Sequence, residues 1–159
     1  MLTEYKKIII KVTLLIILIA IISAYIVEII LGHKPCNLCL YERIPYAVGL
    51  ILILQIIFLK KYEKISIFLV FFTFLISFFL ASYHLGIEEG FFNEPLTCKT
   101  NTNLDLTSKE LLKELNKSVI SCKDVSFRIA GLSLAAINTF LSFLIAVIYI
   151  KLFLNYEKN

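Results

Sequence analysis

Four apolar runs, over about 8–31, 44–59, 65–83 and 129–154, dominate this chain, and each is about the length an α-helix needs to cross a hydrocarbon core. The setting they demand is lipid. Hydrophobic residues make up 59% of the 159 positions and mean hydropathy is +0.86, well above the roughly 45–50% apolar content of soluble domains. The connections are short, short and long, and the polar segment 84–128 is unsuited to a membrane crossing. The expectation is an all-α membrane protein: a four-transmembrane-helix bundle forming a single domain over 1–159, with loops at about 32–43 and 84–128 on one side.

Lys and Arg are enriched on the cytoplasmic flanks of membrane helices. One side collects Lys6, Lys7, Lys11, Lys60, Lys61, Lys64, Lys151 and Lys158 against only Glu4, Glu63 and Glu157. The other holds Lys34, Arg43 and a long loop whose six cations face seven acids. Both termini are therefore expected in the cytoplasm and both cysteine-bearing loops outside, in a compartment such as the periplasm. The net charge of +4 follows from this topology, and because the cations form no separate face, nucleic acid is not an expected partner. A basic start followed by an apolar run also describes a signal peptide. Here the run exceeds the usual apolar length and lacks a clean small-x-small site near Ser23 and Ala24, so the first run is read as a span.

All four cysteines, Cys36, Cys39, Cys98 and Cys122, fall in the two outer loops. A periplasm-like compartment permits disulfides, and Cys36 with Cys39 and Cys98 with Cys122 is the natural pairing, although four cysteines allow three connectivities. The first two form a C-x-x-C just ahead of the second span. Pro45 is tolerated in a first helical turn, which puts the helix start near Tyr41 to Ile44 and Cys39 at or just before it. A helix N-terminus and a nearby guanidinium both favour thiolate over thiol. Arg43, four residues on, shares a face with Cys39 if the helix reaches back that far.

Competing readings attach to each feature. Structural zinc is one competing reading of the cysteines, but Cys98 and Cys122 are 24 residues apart instead of forming a second short knuckle, and no residue is assigned as a metal ligand. A static Cys36–Cys39 disulfide would close too small a loop to add much stability. Arg43 alone reads equally as a snorkelling anchor, and Glu42 receives no role. Glu28, Gln55 and Asn138 are polar positions within spans, hence functional candidates, with Asn138 also suited to bonding a neighbouring helix. Gly131 with Ala135 reads as a small-x-x-x-small helix contact. His84 and Glu88 at i and i+4 read as a polar helix cap or, less simply, as a metal or proton relay. In the long loop, Thr107-Ser108-Lys109-Glu110 reads as a capping box opening a short amphipathic helix to about Asn116.

The string Pro35-Cys36-Asn37-Leu38-Cys39-Leu40-Tyr41-Glu42-Arg43, followed by Pro45, closely resembles the signature of the disulfide bond formation protein B (DsbB) family. Tyr83-His84-Leu85-Gly86-Ile87-Glu88 with Gly90, Phe92, Pro95 and Cys98 resembles a second-loop motif of one branch. Phe127-Arg128-Ile129-Ala130-Gly131-Leu132-Ser133 with Asn138 resembles the approach to the fourth helix. Glu89 stands where an aromatic residue is the pattern, and Glu28 where glutamine is.

The resemblance implies a thiol:quinone oxidoreductase that reoxidises a periplasmic DsbA-like thioredoxin-fold dithiol oxidase. It implies that Cys98 and Cys122 meet that partner, that Cys122 passes the exchange to Cys36, and that Cys39 delivers electrons to ubiquinone or menaquinone with Arg43 stabilising the charge. A quinone enzyme of the vitamin K epoxide reductase kind lacks its motif arrangement here. The alternative from another class is a non-enzymatic tetraspan module with structural disulfides or a zinc site.

Overall fold

A computed structural model describes residues 2–59, 62–95, 98, 121–123, 128–129 and 131–157. Helix α1 (Leu2–Tyr25) passes into a π-helical turn (Ile26–Ile30), followed by α2 (Asn37–Phe58), α3 (Glu63–Glu88), a two-stranded hairpin of β1 (Arg128–Ile129) and β2 (Leu132–Ser133), and α4 (Leu134–Glu157). The four long helices are each long and apolar enough to cross a membrane, and the protein is an all-α, multi-pass membrane bundle. The amphipathic helix expected from Thr107 lies outside the described residues.

Local chemistry explains where the helices begin and end. The second starts well before the expected Tyr41 to Ile44, because Cys36 takes an extended backbone and its sulfur accepts the N–H of Cys39, capping α2. Pro45 thus sits inside the helix instead of opening it. The third ends in a Schellman motif: Phe91 N–H bonds Gly86 C=O at 2.8 Å, Gly90 N–H bonds Ile87 C=O at 3.1 Å, and Gly90 holds φ at +81°.

Sequence placed the fourth span from about 129, yet Ile129 pairs with Leu132 and Arg128 with Ser133 in the hairpin. Gly131, with φ of +84°, is in its turn and makes no helix contact of the small-residue kind, since α4 begins only at Leu134. Ser133 caps that helix by accepting the N–H of Ala136 at 3.1 Å.

Within the bundle α3 packs most extensively on α4, then on α2, while α1 leans chiefly on α2. One core joins Ile17, Tyr46, Ile53, Ile67, Val70, Phe74, Ile145 and Tyr149 across all four helices. Gly49 is required there: a Cβ would sit 2.9 Å from the ring of buried Phe74. The outward faces are also apolar, with Ile19, Ile51, Phe58, Phe79 and Phe140 all more than half exposed, as suits a lipid solvent.

The two ends of the bundle differ. At one, Lys6 pairs with Glu63 at 2.5 Å and Lys64 lies over the Phe153 ring, so the start of α1, the start of α3 and the far part of α4 meet. At the other, Cys36, Leu38, Ile87, Cys98 and Cys122 form a second buried cluster, with Cys39 packed against it.

Candidate redox site

The cap that starts α2 also builds the site. Cys36 Sγ accepts from the Cys39 N–H at 3.2 Å, and the two sulfurs are 2.6 Å apart, a tight pairing of unbonded cysteines at a helix N-terminus. Cys36, one residue ahead of the membrane-spanning segment, is 5% exposed. Its thiol is lowered from 9.0 to about 5, chiefly by the hydrogen bond from the Cys39 side chain; burial opposes this, and His84 adds to it. The sequence pattern singles out Cys39 beside Arg43, and the cap geometry adds Cys36 as a position that favours thiolate.

Behind Cys36 runs a polar seam that links α2, α3 and α4. His84, 2% exposed, places Nε2 3.5 Å from Cys36 Sγ. Its Nδ1 is 2.6 Å from Glu42 Oε1, and a carboxylate can only accept, so Nδ1 carries a proton; Nε2 faces the Cys36 sulfur, donating to it as a thiolate when the ring is doubly protonated and offering a lone pair when it is neutral. Asn138 Nδ2 donates to Glu42 Oε2 at 2.6 Å, and Asn138 Oδ1 accepts from the Tyr46 hydroxyl at 2.6 Å and from Ser142 at 3.1 Å. Ser77 meets Ser142 at 2.9 Å.

Glu42, which received no role from the sequence, is thus central to the seam. Asn138 does bond a neighbouring helix, through Glu42 and Tyr46 of α2. His84 is more than a polar cap, because both nitrogens face titratable groups within the protein. The one available signal was spacing: Glu42 and Tyr46 are i and i+4 on the helix opened by the C-x-x-C, so they share a face.

Arg43 does lie in the same helix as Cys39, one turn on. The structure adds a partner that sequence did not assign: Arg43 Nη1 donates to Glu28 Oε2 at 2.5 Å, and the guanidinium lies 5.1 Å from the Tyr25 ring centroid. Glu28 is carried by the π-helical turn, a local widening that re-aims side chains and recurs at functional sites. Beside these groups is a cavity of about 400 Å³ between the four helices, whose lining includes Glu28, Cys39, Arg43, His84, Leu141 and Cys122.

Cys98 and Cys122 are joined in a disulfide with Cα atoms 5.5 Å apart, so the four cysteines do not converge as a four-thiolate zinc site. Glu94 fastens this end of the loop by accepting from the Ser121 hydroxyl and, at 2.8 Å, from the Lys123 N–H. Every sequence-predicted cysteine therefore meets the others: Cys98 and Cys122 are bonded, and both pack in one cluster with Cys36.

Four spanning helices that carry a capped C-x-x-C against a second cysteine pair define a multi-pass membrane protein of the thiol-redox class. Residues 6–152 match the family described as Disulfide bond formation protein DsbB, and the chain belongs to that family. Membership makes it a disulfide-bond-forming membrane protein with an oxidoreductase role. It is also 29% identical over 145 residues to an uncharacterized protein of Rickettsia prowazekii strain Madrid E, covering 89% of this chain and 84% of the relative. No solved structure matches it.

Proposed function

We propose that the protein is a thiol:quinone oxidoreductase of the bacterial inner membrane, with its cysteine end in the periplasm and both termini in the cytoplasm. It reoxidises a DsbA-like dithiol partner and passes the electrons to a membrane quinone. The observation that carries this reading is the packing of the Cys98–Cys122 disulfide against Cys36 in one buried cluster, beside a cavity that Cys39 and Arg43 line. A volume of about 400 Å³ within a mostly apolar wall suits a quinone ring and the start of its tail, with Arg43 as the polar group. When bound there, a quinone supplies the two-electron acceptor.

The chain's own steps are thiol–disulfide exchanges. A partner thiolate attacks Cys98 Sγ, the Cys98–Cys122 bond breaks, and Cys122 leaves as thiolate. Cys122 then attacks Cys36 in the Cys36–Cys39 disulfide, and Cys39 leaves as thiolate into the first turn of α2, one turn from Arg43. The partner's second thiolate resolves the mixed disulfide and frees Cys98. Cys98 attacks Cys122, which restores that pair and expels Cys36, whose low thiol pKa makes it a good leaving group. The Cys36–Cys39 dithiol then gives up two electrons and two protons to regain its disulfide. The net change is partner dithiol plus quinone to partner disulfide plus quinol.

The test mixes purified protein, a reduced thioredoxin-fold dithiol partner and a soluble quinone analogue, following quinone absorbance in each Cys→Ser variant. Cys39→Ser is expected to stop quinone reduction while a mixed disulfide at Cys98 is still trapped. Full turnover by Cys39→Ser overturns the reading.

A further inference from the structure

We propose that, with Cys36 and Cys39 in the dithiol state, this site binds a thiophilic divalent cation of the zinc kind through Cys36, Cys39 and His84, with Glu88 completing the shell. This goes beyond the redox function and does not depend on the electron acceptor being a quinone. It also differs from a structural zinc held by all four cysteines, because Cys98 and Cys122 are bonded to each other.

The ligand atoms are already gathered. Cys36 Sγ, Cys39 Sγ and one nitrogen of His84 all lie within 4.8 Å of one another. Tetrahedral zinc, with bonds of about 2.3 Å to sulfur and about 2.0 Å to nitrogen, sets sulfur and nitrogen about 3.5 Å apart and two sulfurs about 3.8 Å apart. The Cys36 Sγ to His84 Nε2 separation is 3.5 Å. The sulfurs, at 2.6 Å, must separate by roughly an ångström, which side-chain rotation supplies when no disulfide joins them.

The supporting shell is that of a metal site. A ligating histidine characteristically gives its other N–H to a carboxylate, which fixes the tautomer and raises the basicity of the free nitrogen. His84 does so to Glu42 at 2.6 Å, and Asn138 holds the second oxygen of that carboxylate. Glu88 supplies the second independent sign of a ligand. Its Oε1 is 3.7 Å from His84 Nε2 and its Oε2 is buried with no hydrogen-bond partner among the described residues, so the carboxylate stands outside the close group of Cys36, Cys39 and His84 and turns inward to coordinate. The cavity lined by Cys36, Cys39, His84 and Glu88 provides the access path.

Binding moves no electrons. One metal–sulfur bond forms at each cysteine, any thiol proton leaving to solvent, and the imidazole lone pair and the carboxylate complete the coordination. Oxidation of Cys36 and Cys39 to a disulfide removes two ligands and ejects the ion, so metal and disulfide exclude each other. A bound cation holds both thiols out of exchange.

The experiment uses the full chain in detergent with Cys98→Ser and Cys122→Ser, leaving only the Cys36 and Cys39 pair, reduced and handled without oxygen. Cobalt(II) is titrated as the spectroscopic probe, and zinc(II) is then added in competition. The expected result is one cobalt per chain with thiolate-to-metal charge transfer and intense tetrahedral bands, displacement by zinc, and protection of both thiols from alkylation. The same protein oxidised to the disulfide loses those signals without any further substitution. Glu42→Gln is expected to weaken binding about 10–100-fold while keeping the tetrahedral spectrum. An octahedral spectrum, equal affinity in the disulfide form, or unchanged affinity in His84→Ala overturns the proposal.

Discussion

Nδ1 of His84 lies 2.6 Å from Oε1 of Glu42, tying the outer part of α3 to the early turns of α2 inside the bundle. A buried carboxylate is expensive unless each oxygen has a partner, and Asn138 on α4 takes the other one. The contact therefore does two things at once. It satisfies Glu42, and it fixes the imidazole so that the remaining nitrogen addresses Cys36. Three helices set the orientation of one ring, which is why the site is built on spans instead of loops.

The reactivity of Cys36 is the first consequence. The thiolate is the species that is alkylated, so the rate rises with pH through the thiol pKa and then levels. With that pKa held at about 5, alkylation of Cys36 in the dithiol protein is expected to be near its plateau at neutral pH. Because the Cys39 side chain is the main cause, Cys39→Ala should move the midpoint toward 9.0 further than His84→Ala does. Mass spectrometry of alkylation rates across pH checks the order. Equal midpoints in all three proteins would contradict it.

Removal of the group that joins the seam should cost stability. Asn138→Leu strips Glu42 Oε2 of its donor and the Tyr46 and Ser142 hydroxyls of an acceptor, and a buried polar group left unsatisfied costs about 1–3 kcal/mol. Ser77→Ala removes a single hydroxyl contact, for which the average between membrane helices is about 0.6 kcal/mol. Unfolding in mixed micelles is therefore expected to show a larger loss for Asn138→Leu than for Ser77→Ala.

Arg43 should separate the two halves of the reaction. Arg43→Ala is expected to lower kcat/KM for a quinone analogue about tenfold or more, or about 1.4 kcal/mol of lost transition-state stabilisation. Formation of the mixed disulfide at Cys98 should keep its rate, because that step occurs at the loop pair. Arg43→Lys should fall between, since lysine keeps the charge but not the guanidinium over the Tyr25 ring or its Nη1 hydrogen bond to Glu28. Stopped-flow measurement of each half-reaction decides the matter.

The helices were legible because a span is written locally: some twenty apolar residues announce themselves whatever they touch. The Cys36 and Cys39 pair and Arg43 were legible because spacing along one helix start reports their neighbourhood. Glu42 was not, because a carboxylate beside a C-x-x-C reads the same whether solvated or buried, and what buries it arrives from α3 and α4, some 42 and 96 residues away. The cap was missed for a related reason. Pro45 is a strong signal for a helix start, and a sulfur acting as the cap five residues before the expected region carries no such mark. Glu28 needed the π-helical turn to reach Arg43, and periodicity of 3.6 does not reveal where it is broken.

The last prediction concerns the loop that carries Cys98 and Cys122. Glu94 accepts from Ser121 and from the Lys123 N–H, on either side of Cys122, and so fastens the disulfide from outside the spans. Its carboxyl is held below the ordinary 4.5, first by the Ser121 hydrogen bond and also by the backbone N–H groups of Lys123 and Cys122. A carboxylate with a depressed folded-state pKa contributes stability that is present above its unfolded value and fades as pH falls through the folded one. The tether should therefore hold at neutral pH and loosen only below the usual glutamate range. Glu94→Gln removes the charge at every pH. It is expected to speed reduction of Cys98–Cys122 by a small dithiol at neutral pH several-fold, with the wild-type protein reaching the variant's rate only in acid, once the lower thiolate fraction of the reductant is corrected for. Equal corrected rates for the two proteins at neutral pH would show that Glu94 does not restrain the disulfide.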